Sequence, residues 1–369
     1  MHQLLNPPKR ILMGPGPTDV NQRVLRAMSI PLIGHMDPAF IQIMDEVKEM
    51  TREIFQTKNS FTTIISATGS AGMETCLVNL LEPGDEAVVC VNGVFGNRMC
   101  DIVGRCGATL TRIDAPWGKT IDPQEVKKVL SGLKPKLVAI VHAETSTGVR
   151  QPLEEISKIV HEAGALFLVD AVTSLGGCEL KVDEWGIDAC YSGSQKCLSA
   201  PPGLSPVTFS DAALEVMNKR KTKVQSWYLD LSLIRNYWEG SKRAYHHTAP
   251  ISMVYAIHEA MTIVLEEGLE ERFKRHHGSH LLLKEGLENL GFEYLVEEAY
   301  RLPMLNAVKI PQGSDDATIR SRLLTEYNIE IGNGLGDFSG KIFRIGLMGE
   351  SANVNYVNML IAALKDVMH

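Results

Sequence analysis

The 369 residues are too many for one simple hydrophobic core, so two domains, or a large domain with a smaller satellite, are expected. Hydrophobic residues make up 44% and charged residues 22%, with a formal net charge of −7; that balance excludes a polyanion-binding surface, and so nucleic acid, as the main business of the chain. No run of 18 apolar residues occurs, which excludes a membrane-spanning helix.

Residues 1–20 read as an N-terminal arm. Its first ten residues are polar and proline-containing, unlike a signal peptide. A large domain over 21–267 follows, in which short apolar runs alternate with helical patterns. A strand at 62–66 leads to a helix at 71–81, closed by the breaker Pro83-Gly84. Strands at 87–91 and 109–114 precede a helix at 123–132. A strand at 137–142, a helix at 153–164 and strands at 166–170, 189–192 and 205–209 complete the pattern. Several strands are continuous Val/Ile/Leu runs, as in strands covered on both faces. Strands alternating with helices predict an α/β fold with a mainly parallel sheet.

From 268 to 369 the pattern changes. Helices at 252–267 and 269–290 are separated by Gly268, apolar segments lie at 305–310 and 342–347, and a helix closes the chain at 353–367. This predicts a smaller α+β domain. The terminal Asp366-Val367-Met368-His369 is not a peroxisomal address of the Ser-Lys-Leu type. Seven scattered cysteines, an odd number with no C-x-x-C, read as reduced, mostly buried thiols of a cytoplasmic protein.

The segments able to carry chemistry cluster at strand ends. Asp170 closes a buried strand, at the sheet edge where open α/β folds bind ligands. Lys196 follows in the small polar turn Ser192-Gly193-Ser194-Gln195. Taken singly, each reads as structural. Together they suit a Schiff-base lysine and an acid that keeps a pyridinium nitrogen protonated, so that the ring withdraws electrons from a carbanion. Thr68-Gly69-Ser70 opens a helix, where N–H groups suit a phosphate; any helix start also favours these residues. Phe95 offers a ring for stacking or for the core. Arg344 offers a planar fork for a carboxylate or for an ordinary salt bridge.

Other patterns carry less. Gly118-Lys119-Thr120 ends like a P-loop, but Ile113 stands where the first glycine is required. His276, His277 and His280 share a helical stretch and read as a solvated face rather than a metal site. No metal is expected. No convincing G-x-G-x-x-G opens a βαβ unit, which disfavours a nicotinamide-dependent dehydrogenase.

The string Tyr191-Ser192-Gly193-Ser194-Gln195-Lys196 with Ala200-Pro201-Pro202-Gly203 resembles the class V pyridoxal-phosphate aminotransferases, most closely their alanine–glyoxylate/serine–pyruvate branch. Met13-Gly14-Pro15-Gly16-Pro17, Leu80-Leu81-Glu82-Pro83-Gly84-Asp85, Glu144-Thr145-Ser146-Thr147-Gly148-Val149, Tyr245-His246-His247-Thr248 and Phe343-Arg344-Ile345-Gly346-Leu347-Met348-Gly349 agree, in order. The resemblance implies fold type I: a seven-stranded, mainly parallel sheet, a small C-terminal α+β domain and an obligate homodimer. It implies pyridoxal 5′-phosphate held by Lys196, with Asp170 at the ring nitrogen and Val172 and Phe95 on the two ring faces. Thr68, Gly69 and Ser70 match the phosphate loop, and Thr145 and Gln195 match contacts to the ring hydroxyl or phosphate. Tyr245 and Thr248 match residues that reach the neighbouring subunit's phosphate. Arg344 matches the residue that binds the substrate carboxylate, with Gly16 lining the same pocket. The family often has Trp at the position of Phe95 and His at that of Ser70.

The activity so implied is transfer of the amino group of alanine or serine to glyoxylate, giving glycine and a 2-oxo acid. Alternative donors within the fold are (S)-ureidoglycine and aminoethylphosphonate. A cysteine desulfurase fits less well, since Gln195 stands where that branch has His before the lysine. A reading of another class is a non-catalytic subunit of a larger complex, which Lys196, Asp170 and Arg344 together disfavour.

Overall fold

The computed structural model describes residues 5–368. The first four residues of the arm and His369 lie outside the described residues. Seven strands form the central sheet: β1 (Phe61–Ile65), β2 (Glu86–Val91), β3 (Thr109–Asp114), β4 (Leu137–Val141), β5 (Leu166–Asp170), β6 (Ala189–Tyr191) and β7 (Ser205–Phe209). Their order is β1-β7-β6-β5-β4-β2-β3. All neighbours run parallel except β7, which is antiparallel to both β1 and β6. Every residue of β1, β4, β5, β6 and β7 is buried. That is why they read as unbroken apolar runs: with helices on both faces, alternation has nothing to track.

The strand limits agree with the sequence expectation to within one residue. Helix Pro38–Phe55 falls outside the predicted elements. Its determinants are plain in hindsight: Asp37 caps the first turn, Pro38 occupies the first helical position, and Phe40, Met44, Val47, Thr51 and Ile54 are buried at helical spacing. The helix packs on Ile251–Glu267. Helices Val94–Arg105, Asp211–Asn218 and Leu231–Trp238 were likewise not predicted.

The buried apolar residues gather into two main clusters. One surrounds the seven-stranded sheet and runs from Val24 to Val264. The other joins Leu283, Val308, Phe343, Ile345 and Leu360 around a four-stranded antiparallel sheet built on Leu305–Lys309 and Ile342–Gly346. The helical run breaks at Gly268, whose φ of 81° ends Ile251–Glu267. The arm belongs with the second cluster: Ile11–Leu12 pairs in parallel with Ile329–Glu330, and Met13 is fully buried.

The solvated-face reading of the three histidines is corrected. His277 is exposed, but His276 and His280 are buried. His276 Nε2 accepts the Gly349 N–H at 2.9 Å, and its Nδ1 donates to the Arg272 carbonyl at 2.7 Å. His280 Nδ1 donates to Asn306 Oδ1 at 2.6 Å. These rings hold the helix to the segment that carries Gly349. Among the described residues no helix is long and apolar enough to cross a membrane, and all seven cysteines are free and buried.

Candidate active site

Asp170 is the last residue of β5, and β6 beside it ends at Tyr191. Both strands deliver their loops to one edge of the sheet. The turn after β6 is held against the loop after β5 by Ser192 Oγ, which donates to the Ala171 carbonyl at 3.0 Å, and by Cys197 Sγ, 3.3 Å from the Thr173 carbonyl. Lys196 is thereby brought close to Asp170, across 26 residues of sequence.

Asp170 is 2% exposed. Its Oδ1 accepts the Val172 N–H at 2.8 Å and its Oδ2 accepts the Tyr191 hydroxyl at 2.7 Å. Burial pushes the carboxyl up to about 6, against the pull of Tyr191, Val172 and the Lys196 charge. Lys196 is 7% exposed. Burial and then the Arg344 charge bring its amine down to about 8, so a free base is accessible near neutral pH. The amine donates to the Pro15 carbonyl. A methyl on Gly16, whose φ is 99°, would come within 2.7 Å of Lys196 Nζ.

Arg344 lies in strand Ile342–Gly346 and is 6% exposed. Its Nε donates to the Asn333 carbonyl at 2.7 Å and its Nη1 to the Thr145 carbonyl at 3.3 Å. The arm turn crosses the end of this strand, where Gly346 N donates to the Met13 carbonyl at 2.8 Å. A side chain at 346 would overlap the Gly14 carbonyl oxygen.

Thr68 caps helix Gly69–Leu80 with no side-chain hydrogen bond of its own, which leaves the first N–H groups free of a cap. A Cβ at Gly69 would lie 3.3 Å from Val172 Cγ2 and 3.4 Å from Gly193 Cα. The helix start, Val172 and the lysine turn therefore form one contiguous surface. Ser70 Oγ accepts from Arg98 at 3.0 Å, and the Arg98 guanidinium sits 4.9 Å from the centre of the half-buried Phe95 ring. Thr145 Oγ1 lies 2.5 Å from Thr173 Oγ1. Tyr245 and Thr248 stand apart from this group. Both are exposed, and their hydroxyls are 3.4 Å from each other.

Two residues of the site carried no role in the sequence reading. Tyr191 supplies the hydroxyl on Asp170. Glu144, fully buried, accepts from Ser146 N and Oγ at 3.1 and 2.6 Å and from Phe95 N at 3.2 Å. A signal for Glu144 was present: a charged residue after the apolar run at 137–141 must find partners if it is buried. Nothing local pointed to Tyr191.

The family model for class-V aminotransferases matches residues 12–341.

The chain belongs to the class-V aminotransferases.

It is 40% identical over 379 residues to the (S)-ureidoglycine–glyoxylate transaminase of Bacillus subtilis (strain 168), covering 98% of this chain and 91% of that protein. It is 40% identical to the alanine–glyoxylate aminotransferase of Rattus norvegicus, covering 100% and 92%. The crystal structure of an alanine–glyoxylate aminotransferase from Nostoc sp. superposes with a TM-score of 0.98 at 46% identity, covering 100% and 98%. The class-V fold and the mainly parallel seven-stranded sheet agree with the sequence expectation.

Membership in the class-V aminotransferases brings pyridoxal phosphate as cofactor. The site's own groups fit it. Gln195 Oε1 is buried without a hydrogen-bond partner, on the turn that also carries Lys196. An uncapped helix start, a buried amine and a buried carboxylate surround the same edge. Such a set suits a phosphorylated aldehyde with a basic ring nitrogen.

Proposed function

We propose that this aminotransferase moves the amino group of a small amino acid, alanine or serine, to glyoxylate, giving glycine and a 2-oxo acid. The observation that carries the reading is the electrostatic arrangement of Lys196, Asp170 and Arg344. The lysine amine feels both the carboxylate and the guanidinium, and burial leaves it with a proton affinity near neutrality. The names of the relatives support the choice of glyoxylate, which both contain.

When bound, pyridoxal phosphate supplies an electron sink for the negative charge formed at the substrate α-carbon. Lys196 holds it and, once released by the incoming amine, takes the proton from the α-carbon and returns it on the other side of the exchange. Asp170 keeps the ring nitrogen protonated. Val172 and Phe95 cover the ring faces. Thr68, Gly69, Ser70, Thr145 and Gln195 bind phosphate or ring hydroxyl. Arg344 docks the substrate carboxylate as a charge-assisted pair, while Gly16 and the arm turn keep the pocket small. Exposed Tyr245 and Thr248 serve the neighbouring subunit's phosphate, so the working unit is a homodimer with shared sites. The arm (1–20), large domain (21–267) and small domain (268–369) meet around this edge, and the enzyme works in the cytoplasm.

A second donor, (S)-ureidoglycine, is favoured by the Bacillus subtilis relative. Donor choice rests on a few pocket contacts. The test mixes pure holoenzyme with alanine, serine, glycine, aspartate and ureidoglycine in separate half-reactions and follows loss of the bound cofactor's visible absorbance. Alanine or serine should react fastest. A faster reaction with ureidoglycine would transfer the assignment to that donor, and no reaction with any amine would refute the reading.

A further inference from the structure

Glu144 is a fully buried carboxylate with no cation in hydrogen-bond contact, an arrangement costly enough to need a reason. Helix Val94–Arg105 begins after Gly93 without a side-chain cap of its own. Its first N–H groups are met from another segment. Val94 N donates to Ser146 Oγ at 3.0 Å, Ser146 Oγ donates to Glu144 at 2.6 Å, and Phe95 N donates to Glu144 at 3.2 Å. A negative charge at a helix N-terminus is favoured by the backbone dipoles. The fit is tight, because any side chain at Gly93 would overlap the Glu144 carboxyl. Thr145, between the two, gives its carbonyl to Arg344.

We propose that Glu144, acting with Ser146, is a positioning residue that sets the Phe95 ring against the cofactor by gripping the backbone from which that ring projects. This rests on the stacking role of Phe95 proposed above. The carboxylate does not touch substrate. Its two oxygens fix where the helix starts, and the ring direction follows from the backbone of its own first turn. The amide of Glu144→Gln would turn one acceptor into a donor facing Ser146 N, leaving a buried donor unpaired.

The test is a double-mutant cycle on pyridoxal-phosphate affinity, read by equilibrium dialysis of Glu144→Gln, Phe95→Ala and the double variant, with visible circular dichroism of the bound cofactor. Each single change should raise the dissociation constant by about tenfold. The double variant should lose no more than the worse single one, because both changes remove the same contact. Ser146→Ala, a smaller perturbation, should move the constant and the dichroism the same way, and carries the cycle if Glu144→Gln does not fold. Fully additive losses, or a Glu144→Gln protein with lowered thermal stability but unchanged affinity, would overturn the proposal alone. Wild-type affinity in Phe95→Ala would overturn the stacking reading, and this inference with it.

Discussion

The hydroxyl of Tyr191 donates to Asp170 Oδ2 at 2.7 Å, inside a region where both side chains are almost wholly buried. The two residues end adjacent parallel strands and face each other in register. The contact holds the carboxylate in its charged form against a burial effect that raises its pKa. Tyr191→Phe keeps the ring and removes the donor. The carboxyl should then rise further above about 6, and the acid limb of the kcat/KM profile should move to higher pH. Unfolding of the cofactor-free protein should be easier by about 1–3 kcal/mol, the usual cost of leaving a buried acceptor unpaired.

Lys196→Ala removes the proposed proton carrier while leaving the turn's other ties, such as Ser192 to Ala171, in place. Turnover with alanine and glyoxylate should fall by about 10²–10⁴ or more, the range for a positioned acid–base group. Steady-state rates measure this directly, and full retained activity would end the assignment.

Arg344→Gln should lower kcat/KM for the amino donor by about 10–100-fold, the worth of a charge-assisted hydrogen bond to a carboxylate. Cofactor affinity should not change. An amine donor lacking the carboxylate should lose nothing, which separates recognition from general damage.

Gly16→Ala places a methyl 2.7 Å from Lys196 Nζ and 2.8 Å from its Cδ, on a backbone with φ of 99°. Strain and displacement of the lysine act together. A shift of about 1 Å in a reacting group costs on the order of 100-fold in rate. The variant should therefore show a low kcat alongside normal secondary structure by circular dichroism.

His276 is brought down to about 3 by burial and by the Arg272 and Arg275 charges, and His142 to about 3 by burial. Both folded values lie below the unfolded 6.5, so the folded state prefers the neutral rings. Their contribution is complete above pH 6.5 and is lost as the pH falls toward 3. Each adds a slope of roughly 1.4 kcal/mol per pH unit over that range. Asp170 acts in the opposite sense in the cofactor-free protein, since its raised value favours folding below about 6. Two histidines against one carboxyl leave a net loss of stability in acid. Denaturant unfolding at pH 7 and pH 5 should show it, and His276→Gln should flatten the slope.

Much of the fold was legible because buried parallel strands announce themselves as apolar runs bounded by turns, as Leu137–Val141 and Leu166–Asp170 do. Helix Pro38–Phe55 went unread although Asp37, Pro38 and its apolar spacing encode it. The buried histidines were misread because a polar ring on a mostly charged helix says nothing of what packs over it. His276 is covered by the distant Gly349 segment.

The sequence by itself determined the order of strands and helices, the lysine turn after a buried strand and the acid at a strand end, because these depend on local periodicity and on neighbours along the chain. Tertiary structure alone decided the proton affinities of Lys196 and Asp170, the hydroxyl that Tyr191 lends to the acid, and the grip of Glu144 on the helix that bears Phe95. Those properties come from desolvation and from partners 21 to 49 residues away. Only the packed sheet edge removes the water and brings such partners within hydrogen-bond reach.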